Sequence, residues 1–242
     1  MDNVKFYNAL SLACDGYYDK IKQYRDQTDS WQKAWQKAEK ELNPKINPDQ
    51  ALEKLNKLEI KIILQNGPNF PYLLKQISRP PWAIYLKGNL QAVHQPTVAI
   101  VGTRRATNVG RDFAFHLGAE LAVRKITIVS GLALGIDEAA HSGVVNVKEK
   151  TIAVLARGLD EIYPPQNKNL ADKIIHLGGA IISEYPLGSK TYPLRFLERN
   201  RVISGLSLGT VVVEAPKRSG ALVTAHFAMD QNRDVFAMPG PV

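Results

Sequence analysis

The 242-residue sequence is 45% hydrophobic and 22% charged, the balance of a folded protein with a sizeable core rather than a disordered chain. No apolar run approaches the roughly 18–20 residues of a membrane-spanning helix, MDNVKFYNAL is not a signal peptide, and the single cysteine, Cys14, excludes an internal disulfide and a multi-cysteine metal site; a cytoplasmic protein is expected. A net charge of +8, from 31 basic and 23 acidic residues, points to a polyanionic partner, nucleic acid before membrane.

In chain order, Val4–Ala13 and Trp31–Leu42 carry apolar residues at helical spacing, and Asp29-Ser30 can cap the second run. Pro48-Asp49 opens a third helix through Leu58. Residues 1–59 therefore read as a small helical N-terminal domain, with Trp31 and Trp35 packing in its core rather than stacking on bases. Ile60–Leu64 is a strand, Asn66–Asn69 a turn, Tyr72–Ile77 a short helix and Ala83–Leu86 a strand ending at Lys87-Gly88. Residues 60–96 read as a joining subdomain that adds an edge strand to the main sheet.

From Val98 a βα rhythm sets in. Strands are predicted at Val98–Val101, Ile126–Val129, Thr151–Leu155, Ala180–Ser183, Thr210–Val213 and Val235–Ala237. Helices are predicted at Asn108–Arg124, Ile136–Val145, Asn167–Leu177, Leu197–Leu206 and Ser219–Gln231. Near-continuous Val, Ile and Ala strands are buried on both faces, so residues 60–242 should form an α/β domain with a doubly wound, mostly parallel sheet.

Right-handed crossovers bring the loops Gly102-Thr103-Arg104-Arg105 and Ser130-Gly131-Leu132-Ala133 together at the carboxyl edge of that sheet, where open α/β sheets bind ligands. Two glycine-containing loops and two arginines there point to phosphate. Ser219-Gly220 begins a helix, and a helix N-terminus attracts anions; Lys217 and Arg218 stand just before it. The same logic applies at Gly131–Gly135, while Ser219 reads equally well as a plain N-cap. Lys190-Thr191-Tyr192-Pro193-Leu194-Arg195-Phe196 is a basic loop with aromatics that leads into Glu198-Arg199-Asn200-Arg201. Basic side chains neutralise phosphates and aromatic faces stack unpaired bases, a mixture that suits single strands better than duplex. One arginine of Arg199 and Arg201 would equally suit an ion pair inside the fold.

The first strand is not followed by G-x-G-x-x-G, and there is no Walker A loop, so neither a dinucleotide nor ATP is supported as a cofactor. Asp137, His141, Glu184 and Glu214 are the candidates for acid–base chemistry. Asp137 and His141 stand at i, i+4 and could pair, but no nucleophile is placed beside them, which favours a structural role. The histidines show no metal-ligand spacing.

The motifs V-A-I-V-G-T-R, S-G-L-A-L-G-I-D-x-x-A-H, G-L-D-x-x-Y-P, S-E-Y-P, R-N-R-V-I-S-G-L-S, V-V-V-E-A, S-G-A-L-V-T-A and V-F-A-M-P-G-P occur in that order from Val98 onward. As a set they resemble the DNA-processing protein A (DprA/Smf) family. The resemblance implies a Rossmann-like core that binds single-stranded DNA, forms a homodimer and loads the recombinase RecA in natural transformation, with no cofactor and no catalytic activity. It assigns phosphate binding to the Arg104-Arg105 pair, pocket glycines to Gly102 and Gly131, and the aromatic and basic loop to Lys190, Arg195 and Phe196. Leu197 stands where many members have proline, and Ala221 and His226 where many have serine and arginine. The rival class is a nucleotide-hydrolysing enzyme of a related Rossmann-like fold. That class calls for P-G-G-x-G-T-x-x-E, and the corresponding stretch here reads E-A-P-K-R-S-G-A-L-V-T-A.

Overall fold

The structure, a computed structural model, describes residues 2–217 and 219–240. Four helices come first: α1 (Asp2–Ala13), α2 (Tyr18–Asp26), α3 (Trp31–Leu42) and α4 (Pro48–Lys57). Ser30 caps α3 by accepting the Lys33 N–H, and Asn43 ends it in a left-handed conformation. Asn47 accepts the N–H groups of Asp49 and Gln50 at the start of α4, with Pro48 in the first turn. Trp31 and Trp35 are buried, and Trp31 meets Tyr7 and Trp82 edge-on, so both belong to the core. The helix α2 is an addition to the sequence reading. Its YDKIKQYRD buries only Ile21 and Tyr24, too few apolar positions to show a period.

The remaining elements are β1 (Ile60–Leu64), α5 (Tyr72–Lys75), β2 (Ala83–Gly88), β3 (Thr97–Val101), α6 (Asn108–Val123), β4 (Thr127–Ser130), α7 (Ile136–Asn146), β5 (Thr151–Leu155), α8 (Lys168–His176), β6 (Ala180–Ser183), α9 (Pro193–Gly205), β7 (Gly209–Val212), α10 (Gly220–Asp230) and β8 (Asp234–Ala237). The eight strands form one sheet in the order β1-β2-β6-β5-β4-β3-β7-β8. β1 and β2 pair antiparallel, β2 pairs antiparallel with β6, and every other pairing is parallel. The segment between the helices and the main sheet thus contributes two strands, not one.

Register separates the faces. Val129 pairs with Ile152, and both join α9 and α10 in one apolar core. The opposite face carries Ala153, Leu155 and Ile181 under α8 and the N-terminal helices, and Ile100 and Ile128 under α6 and α7. β3 has β4 on one side and β7 on the other, so successive connections leave it in opposite directions. The loops that follow β3 and β7 therefore part at their carboxyl ends and leave a crevice.

α9 begins four residues earlier than its apolar pattern predicts. Tyr192 has extended N-cap geometry and Pro193 occupies the first turn, where its missing N–H costs nothing. Arg195 and Phe196 accordingly lie on a helix, not in a free basic loop.

Candidate nucleic-acid interface

At the switch point between β3 and β7 lies an open cleft of about 650 Å³. One wall is the loop after β3, the second the first turns of α9, and the third the start of α10. Gly102 permits this geometry, because a β-carbon there would run into the Ile136 side chain at the head of α7. Thr103 ties the loop on both sides: its N–H donates to the Glu214 carbonyl at 2.7 Å, and its carbonyl accepts the Ile136 N–H at 3.3 Å. Arg104 and Arg105 then project from a fixed base and are exposed. The Arg104 guanidinium lies 4.9 Å from the centre of the half-buried Phe196 ring, and the Tyr163 ring lies 5.9 Å from Phe196 on a tilted plane. Charge and aromatic surface meet here, as a single strand with unpaired bases requires.

Ser219 caps α10, its hydroxyl accepting the Leu222 N–H, and Asn200 donates to the Gly220 carbonyl at 3.0 Å. Ser219, Gly220 and Asn200 all line the cleft. The first-turn N–H groups of α10 have no acceptor within the helix, so this wall is favourable to an anion. Lys190 and Lys217 are exposed. Arg218 lies outside the described residues.

Five further expected contacts face inward instead. Ser130 is fully buried, and its hydroxyl donates to the Ile100 carbonyl at 2.6 Å, joining β4 to β3. The Gly131 N–H donates to Asp137 at 3.0 Å, so it is not free to cradle a phosphate. In the same loop the Gly135 N–H reaches the Glu138 carboxylate at 3.4 Å, and at the head of α7 the Ile136 N–H is used by Thr103 and the Glu138 N–H by Ala133. Arg195 is 2% exposed: it donates to the carbonyls of Lys190 and Asp15 at 2.7 and 2.6 Å and pairs with the Asp15 carboxylate at 2.8 Å. Arg201 is buried against the Glu184 carboxylate at 2.5 and 2.6 Å. Both R-N-R arginines are in fact internal. Arg199 donates to the carbonyls of Gly131 and Val154 at 2.7 and 2.5 Å, so it shapes the cleft wall from behind. Burial lowers its pKa to about 10, against the opposing pull of Asp137. The reason is shared: a buried donor must find an acceptor, and here backbone carbonyls and the carboxylates of Asp15, Asp137 and Glu184 supply it.

The candidate acids and bases are likewise engaged. Asp137 holds Gly131 rather than His141; burial raises its carboxyl pKa, and Arg199 opposes the shift. His141 meets the Thr151 hydroxyl at 2.8 Å. Glu214 accepts the Thr107 N–H and hydroxyl, both at 3.0 Å, at the start of α6. Among the described residues, no three His, Cys, Asp or Glu side chains gather as a metal-ligand set.

Tyr163 and Asn200 are cleft residues that sequence reasoning passed over as candidates. The signal for Tyr163 was its place in G-L-D-x-x-Y-P, at the end of a loop that follows a parallel strand. Asn200 stands between two arginines that drew the attention.

A family model described as DNA recombination-mediator protein A matches residues 61–242, three quarters of the chain. The chain belongs to that family. Protein Smf of Synechocystis is 45% identical over 196 residues, which cover 79% of this chain and 49% of that protein. The chain thus spans about half the length of that relative. The crystal structure of DNA processing protein A from Streptococcus pneumoniae superposes with a TM-score of 0.76 at 32% identity, covering 99% of this chain and 83% of that one. DNA processing protein A from Helicobacter pylori, whose structure is described for its single-stranded DNA binding mode, gives a TM-score of 0.69 at 30% identity over 76% of this chain and 82% of that one. The N-terminal helices precede the family match, yet they pack into the same apolar core as β1, β2, β5 and β6.

Proposed function

We propose that this chain binds single-stranded DNA, with little sequence preference, in the cleft between the β3 and β7 loops. We further propose that it acts as a homodimer in the cytoplasm, and that it hands the strand to the recombinase RecA during natural transformation. The observation that carries the reading is the meeting of the exposed Arg104 with Phe196 and Tyr163 on one cleft wall, opposite the α10 N-terminus. The proposed contacts are Arg104, Arg105, Lys190, Phe196, Lys217, Ser219 and Gly220, with Arg218 added from the sequence alone. Gly102, Thr103, Ser130, Gly131, Arg195, Arg199 and Arg201 build the walls that hold them. The proposal is of a binder rather than a nucleotide hydrolase, because the carboxylates nearest the cleft, Asp137 and Glu214, are occupied by backbone and side-chain donors.

Binding measured across a salt series on single-stranded and duplex DNA tests this. Single strands should be preferred, with affinity falling steeply as salt rises. Equal affinity for duplex, or affinity independent of salt, overturns the reading. Co-sedimentation of RecA with strands coated by the protein tests the hand-over, and release of mononucleosides from nucleotides would favour the hydrolase.

A further inference from the structure

Beside the cleft, a second aromatic and basic surface is built on the N-terminal helices. Tyr192 belongs to the cleft wall, and its ring centre lies 5.2 Å from the guanidinium carbon of Arg195. The Tyr17 ring, in the turn between α1 and α2, lies 5.4 Å from that same carbon. Tyr185, the third ring around it, is buried, whereas Tyr17 and Tyr192 remain 39% and 44% exposed. They do more than hold the arginine: each presents aromatic surface to solvent, one on either side of the junction between the cleft and the N-terminal helices.

Charge follows the same line. The Lys20 ammonium lies 5.2 Å from the centre of the Tyr17 ring, and Lys190, whose carbonyl receives Arg195, is exposed. Elsewhere on the N-terminal helices Lys22, Lys33, Lys37 and Lys57 are each paired with a carboxylate one turn away. Lys20 and Lys190 have no such pair among the described residues. The two acids nearest Tyr17 are already neutralised, Asp15 by Arg195 and Asp19 by Arg79.

The surface is also rigid. Asp15 and Gly16 turn the chain in left-handed conformations with φ of 50° and 68°, and a β-carbon at Gly16 would lie 2.8 Å from the Pro186 ring. Ser189 donates to the Asp15 carboxylate at 3.2 Å. With the α1–α2 turn seated on the 185–195 segment, a strand that reaches Tyr17 meets a surface already ordered, and little entropy is lost on binding.

We infer that a single strand leaving the cleft continues across Tyr192 onto the N-terminal helices, where Tyr17 stacks a base and Lys20 and Lys190 contact the backbone. The inference rests on the cleft being the single-strand site. It makes the bound segment longer than the cleft itself.

The test uses the full chain and two oligothymidylates, one of about six nucleotides and one of about twenty, a choice that brackets the ~4–16 nucleotides usual for single-strand sites. Lys20→Glu should leave the short oligonucleotide unaffected and weaken the long one about tenfold, with the salt slope falling by about one. Tyr17→Leu should weaken the long one about fivefold or more with the slope unchanged. A long strand carrying 5-iododeoxyuridine should crosslink to the peptide containing Tyr17. Should Tyr17→Leu lower the melting temperature, Lys20→Glu and the crosslink in the unaltered protein still decide. If Arg104→Ala weakens both oligonucleotides while Lys20→Glu weakens neither and no crosslink forms at Tyr17, the extension is overturned and the cleft stands. If Arg104→Ala binds both normally, the cleft reading fails with it.

Discussion

Arg199 and Gly131 compete for one volume. The Arg199 Nη1 donates to the Gly131 carbonyl at 2.7 Å, and a β-carbon on residue 131 would fall on the same guanidinium. A side chain at 131 therefore displaces Arg199, which strips the Val154 carbonyl of its donor and leaves Asp137 buried without its nearest cation. Gly131→Val should be destabilised by about 3–5 kcal/mol, the usual cost of breaking a buried charge arrangement. Urea titration should show loss of DNA binding running in parallel with loss of fold. A Gly131→Val protein that keeps its stability and fails to bind would restore the phosphate-cradle reading of this glycine.

Arg104 and Phe196 touch, yet they should fail differently. Arg104 is exposed and charged, so Arg104→Ala should weaken binding to all sequences and lower the salt slope by about one. Phe196 carries no charge; if it stacks a base, Phe196→Ala should cost about 1–3 kcal/mol of binding with the slope nearly unchanged. Its ring faces Arg104 and Tyr163 and belongs to none of the buried apolar cores, so the melting temperature should hold. A cooperative loss of several degrees in Phe196→Ala would make the ring an anchor of α9 instead.

The sheet was legible because buried parallel strands must be continuous runs of Val, Ile and Ala, and each such run here ends in glycine or small polar residues. Thr151–Leu155 and Ala180–Ser183 emerge at the boundaries the pattern predicts. The cleft was legible at Gly102–Arg105 and Ser219-Gly220, where chain order alone dictates the sheet edge. What could not be read was the direction of each arginine. Arg195, Arg199 and Arg201 look like a phosphate-binding run, yet all three satisfy carbonyls or carboxylates far away in sequence: Asp15, Val154 and Glu184. A charge-based reading has no term for such partners until the fold brings them together. The α1–α2 turn, by which the N-terminal helices meet α9, was invisible for the same reason.

Of the two ion pairs among these, Arg201 with Glu184 is the one buried on both sides. Burial raises the Glu184 carboxyl pKa, and Arg201 works against that shift. Arg201→Met removes the compensation, so the variant should lose about 3–5 kcal/mol at neutral pH. Without Arg201 the folded pKa of the carboxyl, already above its unfolded value through burial, rises further, and the group sheds its charge by taking up a proton. The destabilisation should be full above that folded pKa and should shrink as the pH falls toward the ordinary carboxylate range. Denaturation of Arg201→Met beside the unaltered protein at pH 7 and pH 5 reads this directly. A deficit that grows on acidification would place the lost stability elsewhere.

His141 sets a pH dependence of opposite sign. The Thr151 hydroxyl has one proton and donates it to the Ile128 carbonyl at 2.8 Å, so it accepts from His141, which must carry its proton on Nδ1. Nε2 is buried with no partner among the described residues, and a second proton there would create a charge in an apolar site. Burial, reinforced by Arg199, accordingly pulls the His141 pKa from 6.5 down to about 3. Between those values the unfolded chain binds a proton that the folded one refuses, so stability falls as the pH drops from about 6.5 toward 3. This one group should account for about 1.4 kcal/mol per pH unit across that window. His141→Leu removes it: the Thr151 hydroxyl keeps its bond to Ile128, and the orphaned Nε2 disappears. Urea denaturation at intervals from pH 7.5 to pH 4.5 should show the two proteins diverging below pH 6.5, with His141→Leu the flatter curve. Parallel curves would mean that His141 takes up its proton in the folded state, and that the α7–β5 contact admits water.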